Sequence, residues 1–333
     1  MMRNVSAAIL LSLAFATAAP AATPEAATSA HATRVVLLGT YGGPKASEER
    51  SEPASLLVVA GTPYLIDAGA GVDRQIAAYG LHHSDIRTIF ITHHHIDHNA
   101  GLVPLISLIW FDRAWYNLAG PPVQIYGPPA TEFLVHTALD YLSVSERIFR
   151  AGVPAMMTAA PMFSAHDIDH DGLVYQDERV RVTAAENTHF HFKSESPATG
   201  QDRSYSYRFD TAKGAVVFTG DTGPSEAVTN LARGADVLVS EVCVCAGKVP
   251  TVPDPSAPPA TLDAQIDYHM DHEHLTPEQV GIMASRAHAR VVVLTHFVPG
   301  DGGVDVARFT AGVQKYFNGE VIAGKDLLTY DLP

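Results

Sequence analysis

The run Thr92-His93-His94-His95-Ile96-Asp97-His98 constrains this chain more than any other stretch of its sequence. It directly follows the apolar, β-branched segment 89–91, which is typical of a buried strand. Because alternate residues of an extended chain share one face, His93 and His95 are expected to converge on one metal ion, and Asp97 and His98 to turn towards a second. His94 is out of phase and is expected to lie outside the ligand set.

A histidine cluster standing alone is more often a surface loop than a metal site. Here the pattern continues downstream, because His189, Asp221 and His296 each follow a strand-like run. Each stands where a loop would leave a sheet edge, and such loops carry functional residues on a rigid scaffold. His191 competes with His189, since both lie in the segment 187–192. Together these sites predict a metal centre.

Strand-like and helix-like segments alternate from residue 35 onward, which predicts an α/β fold. The chain of 333 residues shows no internal repeat, and a single domain over residues 34–333 is expected. Two stretches, 152–177 and the proline-rich 249–260, are predicted to be irregular. Strands are predicted at 35–38, 55–59, 64–66, 88–91, 123–126, 180–184, 204–209, 215–218, 237–242, 291–294 and 326–330, and helices at 72–78, 102–108, 130–142, 224–231, 277–287 and 305–316.

The N-terminal segment predicts export from the cytoplasm. Arg3 is the only charge before an apolar stretch over 7–19, and Ala19-Pro20-Ala21 offers a small-residue cleavage site. Residues 1–21 are therefore predicted to be a signal peptide and residues 22–33 a linker, with the mature protein periplasmic or secreted. The apolar stretch is shorter than a membrane anchor requires, and no later segment approaches one. The mature form is thus expected to have no membrane partner.

Charge and cysteine content add two expectations. The formal net charge is −14 and no basic patch is interleaved with aromatic residues, so a nucleic-acid partner is predicted to be absent. A small anionic substrate stays compatible with this charge, because metal ions offset it locally. Cys243 and Cys245 are the only cysteines, and they are expected to be small buried side chains rather than a disulfide.

These features resemble the metallo-β-lactamase superfamily, and within it the branch of ribonuclease Z and the arylsulfatase-like hydrolases. The resemblance runs from about Thr33 to the C terminus, and it implies a four-layer αββα sandwich with two zinc ions per chain; manganese and iron remain alternatives to zinc. The matching pieces, besides the run 92–98 and the glycines that follow it, are Leu38-Gly39-Thr40, Gly42-Gly43-Pro44, Leu65-Ile66-Asp67-Ala68-Gly69, Ser206-Tyr207-Arg208-Phe209, Val217-Phe218-Thr219-Gly220-Asp221-Thr222-Gly223, Ala235-Asp236-Val237-Leu238 with Glu241, His274-Leu275-Thr276 and Leu294-Thr295-His296-Phe297.

The resemblance also implies a ligand set. One zinc is assigned to His93, His95 and His189. The other is assigned to Asp97, His98 and His296, and Asp221 is assigned as the bridge between the two. His189 is preferred to His191 because its offset from the strand 180–184 fits the family. His95 favours hydrolysis, since related oxygen-reducing di-iron proteins carry Glu at that position.

Two catalytic residues are expected beside the metals. Asp97 would orient the nucleophile or accept its proton. His274 would assist proton transfer to the leaving oxygen, as the resemblance implies, although His269 and His272 compete for that role. Asp67 is expected to hold one histidine in a fixed tautomer.

The expected function is that of an exported dinuclear-zinc hydrolase acting on a small aryl sulfate or phosphate ester through a metal-bound hydroxide. Lactones, carboxylic esters and activated aryl halides are alternative substrates. A tRNA-processing ribonuclease Z ranks lower, because the stretch between His189 and Asp221 is short for the arm of tRNA-binding members, and a non-catalytic zinc-binding protein also ranks lower. A homodimer is kept as an open alternative. One aromatic cluster either lines an apolar pocket or packs in the core, namely Trp110, Phe111, Trp115 and Tyr116.

An acidic stretch fits the spacing of an EF-hand calcium loop. The candidate oxygen ligands are Asp167, Asp169, Asp171 and Glu178, with Gly172 at the turn position. The segment 180–184 that follows alternates like a strand, whereas an EF-hand needs a helix on both sides. An acidic turn between two strands is therefore favoured, with a structural calcium site as the alternative.

Overall fold

The structure is a computed structural model that describes residues 32–192, 196–244, 261–299 and 303–333, with the side chains of 262–264 excepted. The predicted signal peptide, all but the last two residues of the predicted linker and the proline-rich stretch 249–260 lie outside the described residues. Among the helices that are described, none is long and apolar enough to span a bilayer.

Fourteen strands occur in the described part of the chain and form two sheets. The first sheet has the order β14-β1-β2-β3-β4-β5-β6 and the second has the order β13-β12-β11-β10-β9-β8-β7. The strands are β1 (Thr33–Gly39), β2 (Ala54–Val59), β3 (Thr62–Ile66), β4 (Thr88–Phe90), β5 (Val123–Gly127), β6 (Phe163–Asp167), β7 (Gly172–Gln176), β8 (Val180–Glu186), β9 (Tyr205–Thr211), β10 (Gly214–Phe218), β11 (Val237–Cys243), β12 (Val291–Val298), β13 (Glu320–Ala323) and β14 (Leu328–Asp331).

Eight α-helices, counted over the same described ranges, cover the outer faces of the sheets. They are α1 (Val72–Tyr79), α2 (Ile96–Asn99), α3 (Leu102–Trp115), α4 (Thr131–Gly152), α5 (Glu226–Leu231), α6 (Leu262–His272), α7 (Pro277–Ala287) and α8 (Val306–Gln314). The residues at the start of α7 determine where that helix begins. The Thr276 hydroxyl accepts a hydrogen bond from the backbone N–H of Gln279, the Gln279 side chain accepts one from the backbone N–H of Thr276, and Pro277 occupies the first turn.

Three apolar layers hold the four layers of secondary structure together. The inner one lies between the sheets, where Phe90 of β4 meets Phe209 of β9 edge to face with ring centroids 5.2 Å apart. The two outer ones pack helices on the sheets, with Trp110 of α3 under the first sheet and Val280 of α7 under the second. The predicted four-layer αββα sandwich in one domain is therefore confirmed.

The parallel strands point their carboxyl ends to one edge of the molecule. In the first sheet β3, β4, β5 and β6 run parallel, and in the second β10, β11, β12 and β13 do so. Such strands are buried on both faces and are therefore nearly continuous in apolar residues. The loops that leave β3, β4 and β10 therefore bring polar side chains to the same edge of the molecule.

Several local predictions differ from the structure. The stretch 152–177 is not irregular, because it contains the short edge strands β6 and β7, whose half-buried residues give no apolar run. Helix α4 continues to Gly152, and α6 was not predicted at all. Cys243 is disulfide-bonded, so the prediction that it is a free buried side chain is wrong; Cys245 lies outside the described residues.

The acidic stretch is a crossover between the two sheets, since β6 belongs to the first and β7 to the second. Its carboxylates serve separate structural roles. Asp167 accepts hydrogen bonds from the backbone N–H groups that begin α4, and Asp171 accepts one from the backbone of Glu186 at 2.7 Å. Among the described residues these side chains form no group of metal-ligating atoms. The structure therefore gives no support to the calcium alternative.

Candidate metal centre

Seven side chains from both sheets converge at the edge where the parallel strands end. His93, His95 and His189 form one group, in which one ligand atom from each lies within 4.8 Å of the others. A second group, with the same spacing, consists of Asp97, His98, Asp221 and His296. The structure therefore brings together all seven residues that the sequence singled out.

The first group consists of imidazoles alone. His95 Nδ1 lies 3.0 Å from His189 Nε2, so two ring nitrogens face each other across a short gap. His189 Nδ1 donates a hydrogen bond to the backbone carbonyl of Glu273 at 2.8 Å, which leaves Nε2 free for the gap. His93 Nε2 points the same way and lies 3.9 Å from Asp221 Oδ2.

Asp221 belongs spatially to both groups. Its Oδ2 lies 3.9 Å from His93 Nε2 and 3.9 Å from His189 Nε2. Its Oδ1 lies 3.3 Å from His98 Nε2 and 3.1 Å from His296 Nε2. One carboxylate oxygen thus faces each group, which is the arrangement of a carboxylate shared by two ions.

The donor set fits divalent metal ions. In the described part of the chain, His93 Nε2, His98 Nε2 and Asp221 Oδ1 are buried and have no hydrogen-bond partner. Buried polar atoms that make no hydrogen bond are rare, and imidazole nitrogens that face a carboxylate oxygen without a hydrogen bond are what a cation would satisfy. Imidazole and carboxylate are the ligands that zinc accepts.

Burial and charge divide the histidines into two kinds. Burial lowers the pKa of His93 and of His189 well below the usual value, so both are neutral donors. Burial would also lower the pKa of His296, but Asp221 and Asp97 outweigh it and raise that pKa to about 10. For Asp221, burial acts to raise the pKa, and the nearby His296 and His98 lower it well below the usual range. The second group is thus the more strongly charged one.

A network behind the ligands fixes the run that follows β4. Asp67 Oδ2 accepts a hydrogen bond from His98 Nδ1 at 2.9 Å, and Oδ1 accepts one from the backbone of Thr92 at 2.7 Å. Asp67 therefore leaves His98 Nε2 to face the site, which is the role expected of it. Gly220 permits the close approach of the Asp221 loop, because it has φ +57 and an added β-carbon would lie 2.9 Å from Thr92 Cβ.

His274 and Glu241 form a buried pair at the side of the site. His274 Nδ1 donates to Glu241 Oε2 at 2.7 Å and lies 3.9 Å from Asp221 Oδ2. Burial alone would lower the pKa of His274, but Glu241 raises it above the usual value. Glu241 was not among the predicted site residues. Its carboxylate inside the mostly apolar strand β11 was a usable signal, because a buried charge needs a partner.

The remaining histidines lie outside the two groups. His94 points towards Pro128 and Thr131, as its out-of-phase position predicts. His191 is partly exposed and lies 3.7 Å from Glu273, so it does not join His189. Nδ1 of His269 pairs with the same Glu273 at 2.5 Å, and Nδ1 of His272 donates to the backbone of Tyr268. Neither takes the position of His274 next to Asp221.

The aromatic cluster on α3 does not line the cavity beside the ligands. Trp110 is buried against α4 and donates from Nε1 to the carbonyl of Met157 at 3.0 Å. Trp115 and Tyr116 are exposed at the end of the helix. The cavity at the second ligand group is lined instead by residues such as Phe218, Thr219 and Glu241. Packing in the helical layer is therefore the correct interpretation of Trp110.

Comparison with known proteins agrees with this fold. Residues 62–297 match the family described as Beta-lactamase superfamily domain. Ribonuclease Z of Mycobacterium avium (strain 104) is 30% identical over 293 residues, which cover 88% of this chain and 96% of that relative. The chain belongs to the metallo-β-lactamase superfamily, in the group that includes ribonuclease Z, and it is a metal-dependent hydrolase.

Solved structures share the fold at lower identity. The metallo-β-lactamase fold protein YhfI from Bacillus subtilis superposes with a TM-score of 0.65 at 19% identity, covering 90% of this chain and 99% of that one. The short form of human tRNase Z superposes with a TM-score of 0.62 at 23% identity, again covering 90% of this chain and 99% of that one.

These relatives contradict two predictions from the sequence. The expectation of a hydrolase of small aryl esters, with ribonuclease Z ranked lower, is wrong, because the curated relatives carry the name Ribonuclease Z. The exclusion of a nucleic-acid partner is wrong for the same reason. The net charge of −14 misled because it sums the whole surface, whereas a substrate meets only the few groups around the site.

Proposed function

We propose that this protein is a ribonuclease of the ribonuclease Z type, which hydrolyses a phosphodiester bond in tRNA. The observation that carries the proposal is the combination of a double ligand group around Asp221 with the adjacent pair of His274 and Glu241. The 30% identity to Ribonuclease Z of Mycobacterium avium, over nearly the full length of that relative, supports RNA as the substrate.

Two zinc ions would be held by the two groups, one by His93, His95 and His189, the other by Asp97, His98 and His296, with Asp221 shared. When bound, zinc supplies Lewis acidity, which activates water and offsets the negative charge of a phosphodiester. The neutral state of His93 and His189 suits this binding, because a histidine must be deprotonated at the ligating nitrogen.

The proton transfers fall to two side chains of this protein. Hydrolysis joins a water oxygen to phosphorus and breaks the bond from phosphorus to one ester oxygen. Asp97 accepts the proton that the attacking water loses, and a backbone N–H of Gly43 holds one of its oxygens at 3.0 Å. His274 donates a proton from Nε2 to the leaving oxygen, while Glu241 binds its Nδ1 and keeps the ring oriented.

The mouth of the first group offers an aromatic surface for a nucleotide base. The ring of Phe190 lies 5.2 Å from that of His95 and 5.1 Å from that of Phe192. Phe192 is 39% exposed. Stacking on aromatic side chains stabilises bound bases by about 1–3 kcal/mol each. A base next to the scissile phosphate could therefore stack on Phe192.

The test is cleavage of a tRNA precursor extended at both ends, by zinc-loaded protein, with the products mapped at nucleotide resolution. The same RNA scrambled to remove the tRNA fold and bis-p-nitrophenyl phosphate are assayed in parallel. We expect one dominant cleavage site in the folded precursor, weak cleavage of the scrambled RNA, and a loss of at least about 10³-fold in Asp221→Ala.

Two variants separate RNA binding from chemistry. Phe192→Ala is expected to raise KM for the precursor by about tenfold while leaving hydrolysis of bis-p-nitrophenyl phosphate within twofold. Tyr141→Ala, at an exposed aromatic side chain of α4, serves as the matched control and should leave both unchanged. Protein that carries two zinc ions and cleaves neither RNA would refute the proposed function.

A further inference from the structure

Two arginines lie together at the opposite end of the first sheet from the metal centre. Arg87 directly precedes β4, and Arg113 lies in the last turn of α3. Arg113 is only 2% exposed, and Arg87 is half-buried. Both contact the turn that leads into β5, because a β-carbon added to Gly120 would lie 2.8 Å from Arg87 Nη1 and 3.1 Å from Arg113 Nη2. The two guanidinium groups are therefore neighbours.

Most of the buried hydrogen-bond donors of this pair are unsatisfied. Arg113 Nη2 donates to the backbone carbonyl of Pro121 at 3.0 Å. Arg113 Nε, Arg113 Nη1 and Arg87 Nη1 are buried without any partner in the described chain. Burial and the charge of Arg87 both lower the pKa of Arg113. The carbonyl of Pro121 satisfies one donor, but it does not compensate the two positive charges that lie side by side.

The acidic residues nearby are engaged elsewhere. Asp112 pairs with His83 at 3.4 Å, and Asp85 accepts a hydrogen bond from the backbone of His82 at 2.8 Å. Within residues 32–192, 196–244, 261–299 and 303–333, no carboxylate oxygen lies within 4.0 Å of a side-chain nitrogen of Arg87 or Arg113. The counter-charge of this pair does not come from the described chain.

We propose that Arg87 and Arg113, with the turn at Gly120, bind a tetrahedral oxyanion of the phosphate type. Guanidinium groups present several N–H donors in a fixed plane that matches phosphoryl oxygens, and a phosphate would satisfy the unpartnered donors of both side chains at once. Gly120 lets the turn pack directly against both guanidinium groups, because an added β-carbon would lie 2.8 Å from Arg87 Nη1 and 3.1 Å from Arg113 Nη2. This site is independent of the metal centre and of the reaction proposed for it.

The test is thermal unfolding of the full-length, zinc-loaded protein in sodium chloride and in sodium phosphate of equal ionic strength. We expect about 10 mM phosphate to raise the Tm of the wild type by roughly 2–4 °C more than it raises that of Arg87→Met. Gly120→Ala should lose the same increment without a change of charge, because its methyl group would lie too close to Arg87 Nη1 and Arg113 Nη2 and displace both guanidinium groups. Phosphate bound at the metal centre contributes equally to all of these proteins.

Controls distinguish an anion site from a structural contact. Arg74→Met on α1 removes an exposed charge and should keep the full response to phosphate. In chloride, Arg87→Met should unfold at or above the Tm of the wild type, because it relieves repulsion between like charges. If phosphate raises the Tm of the wild type, Arg87→Met and Gly120→Ala by the same amount, the proposal is overturned. This holds even if Arg87→Met has a lower Tm in chloride, because the increment is compared and not the Tm itself.

A second probe identifies the source of the anion. Adenosine 5′-monophosphate at the same concentration tests whether a terminal phosphate on a larger molecule can enter. A Tm increment with both probes that is lost in Arg87→Met assigns the site to terminal phosphates, and an increment with inorganic phosphate alone assigns it to the free ion. Either result supports the oxyanion site, and no increment with either probe refutes it.

Discussion

Two residues at the metal centre adopt left-handed backbone conformations although neither is glycine. Asp67 has φ +60 and His296 has φ +43, values that L-residues with a β-carbon rarely take. At His296 the cause is a bulge: Ser240 pairs with Leu294 and Val242 with Phe297, so Thr295 and His296 together stand opposite Glu241. A bulge redirects the side chain of the bulged strand. It turns His296 towards Asp221 and away from the ladder.

Substitution of Glu241 tests the pair it forms with His274. Glu241→Gln keeps the volume and a hydrogen bond but removes the negative charge that orients His274 and raises its pKa. We expect kcat for bis-p-nitrophenyl phosphate to fall by about 10²-fold, with KM within twofold and two zinc ions retained. Glu226→Gln, at an exposed ion pair on α5, is the matched control. Loss of a zinc ion from Glu241→Gln would instead make Glu241 a ligand and contradict this role.

At the scale of elements, the turn between β7 and β8 fastens the two sheets to each other. Asp177 Oδ1 accepts hydrogen bonds from the backbone of Arg179 at 2.7 Å and of Val180 at 2.9 Å. Its Oδ2 accepts one from the hydroxyl of Tyr64 on β3 at 2.6 Å and one from Tyr175 on β7 at 3.0 Å. Burial would raise the pKa of Asp177, but these hydrogen bonds lower it below the usual value.

Asp177→Asn is expected to lower the free energy of unfolding by about 1–2 kcal/mol at neutral pH, because the amide nitrogen cannot accept two of the four hydrogen bonds and the remaining oxygen is uncharged. A lowered pKa in the folded state means that the stabilisation is complete above the unfolded pKa of about 4 and is lost as the pH falls through the folded value. Urea unfolding from pH 7 to pH 3 should show the difference from the wild type shrinking below about pH 4. Asp169→Asn, at an exposed position, is the control. A difference in the free energy of unfolding that grows as the pH falls, or that is no larger than the difference for Asp169→Asn, would contradict the role of Asp177.

At the scale of the whole molecule, the metal centre joins the two sheets. His93, His95, Asp97 and His98 follow β4 of the first sheet, whereas His189, Asp221 and His296 belong to the second. Each group draws on both sheets, so a bound ion acts as a cross-link between them. Metal binding to the folded state alone stabilises it by mass action.

Removal of metal is therefore expected to lower the thermal stability of the whole domain. Dialysis against a chelator should lower the Tm by roughly 5–10 °C and abolish hydrolysis, and added zinc should restore both. Asp221→Ala should start from the lower Tm and change little when the chelator is added. An unchanged Tm in the wild type after loss of zinc, measured by elemental analysis, would show that the sheets do not depend on the ions.

The convergence of the candidate ligands and the order of layers could be predicted from the sequence because most of these residues come shortly after a strand that is visible in the local pattern. His93 after β4 and Asp221 after β10 are examples. The bulge at His296, the pairing of Glu241 with His274 and the edge strand β6 could not be predicted in this way, since they depend on contacts between distant segments. The substrate was predicted wrongly, because charge summed over the chain carries no information about the mouth of one site.

The sharing of Asp221 between two ions is tested most directly by anomalous diffraction at the zinc edge from crystals of the zinc-loaded protein. Two peaks are expected, one bounded by His93, His95 and His189 and the other by Asp97, His98 and His296. Asp221 should contribute an oxygen to each at about 2.0–2.2 Å. A single peak, or two peaks of which only one is bound by Asp221, would contradict the arrangement.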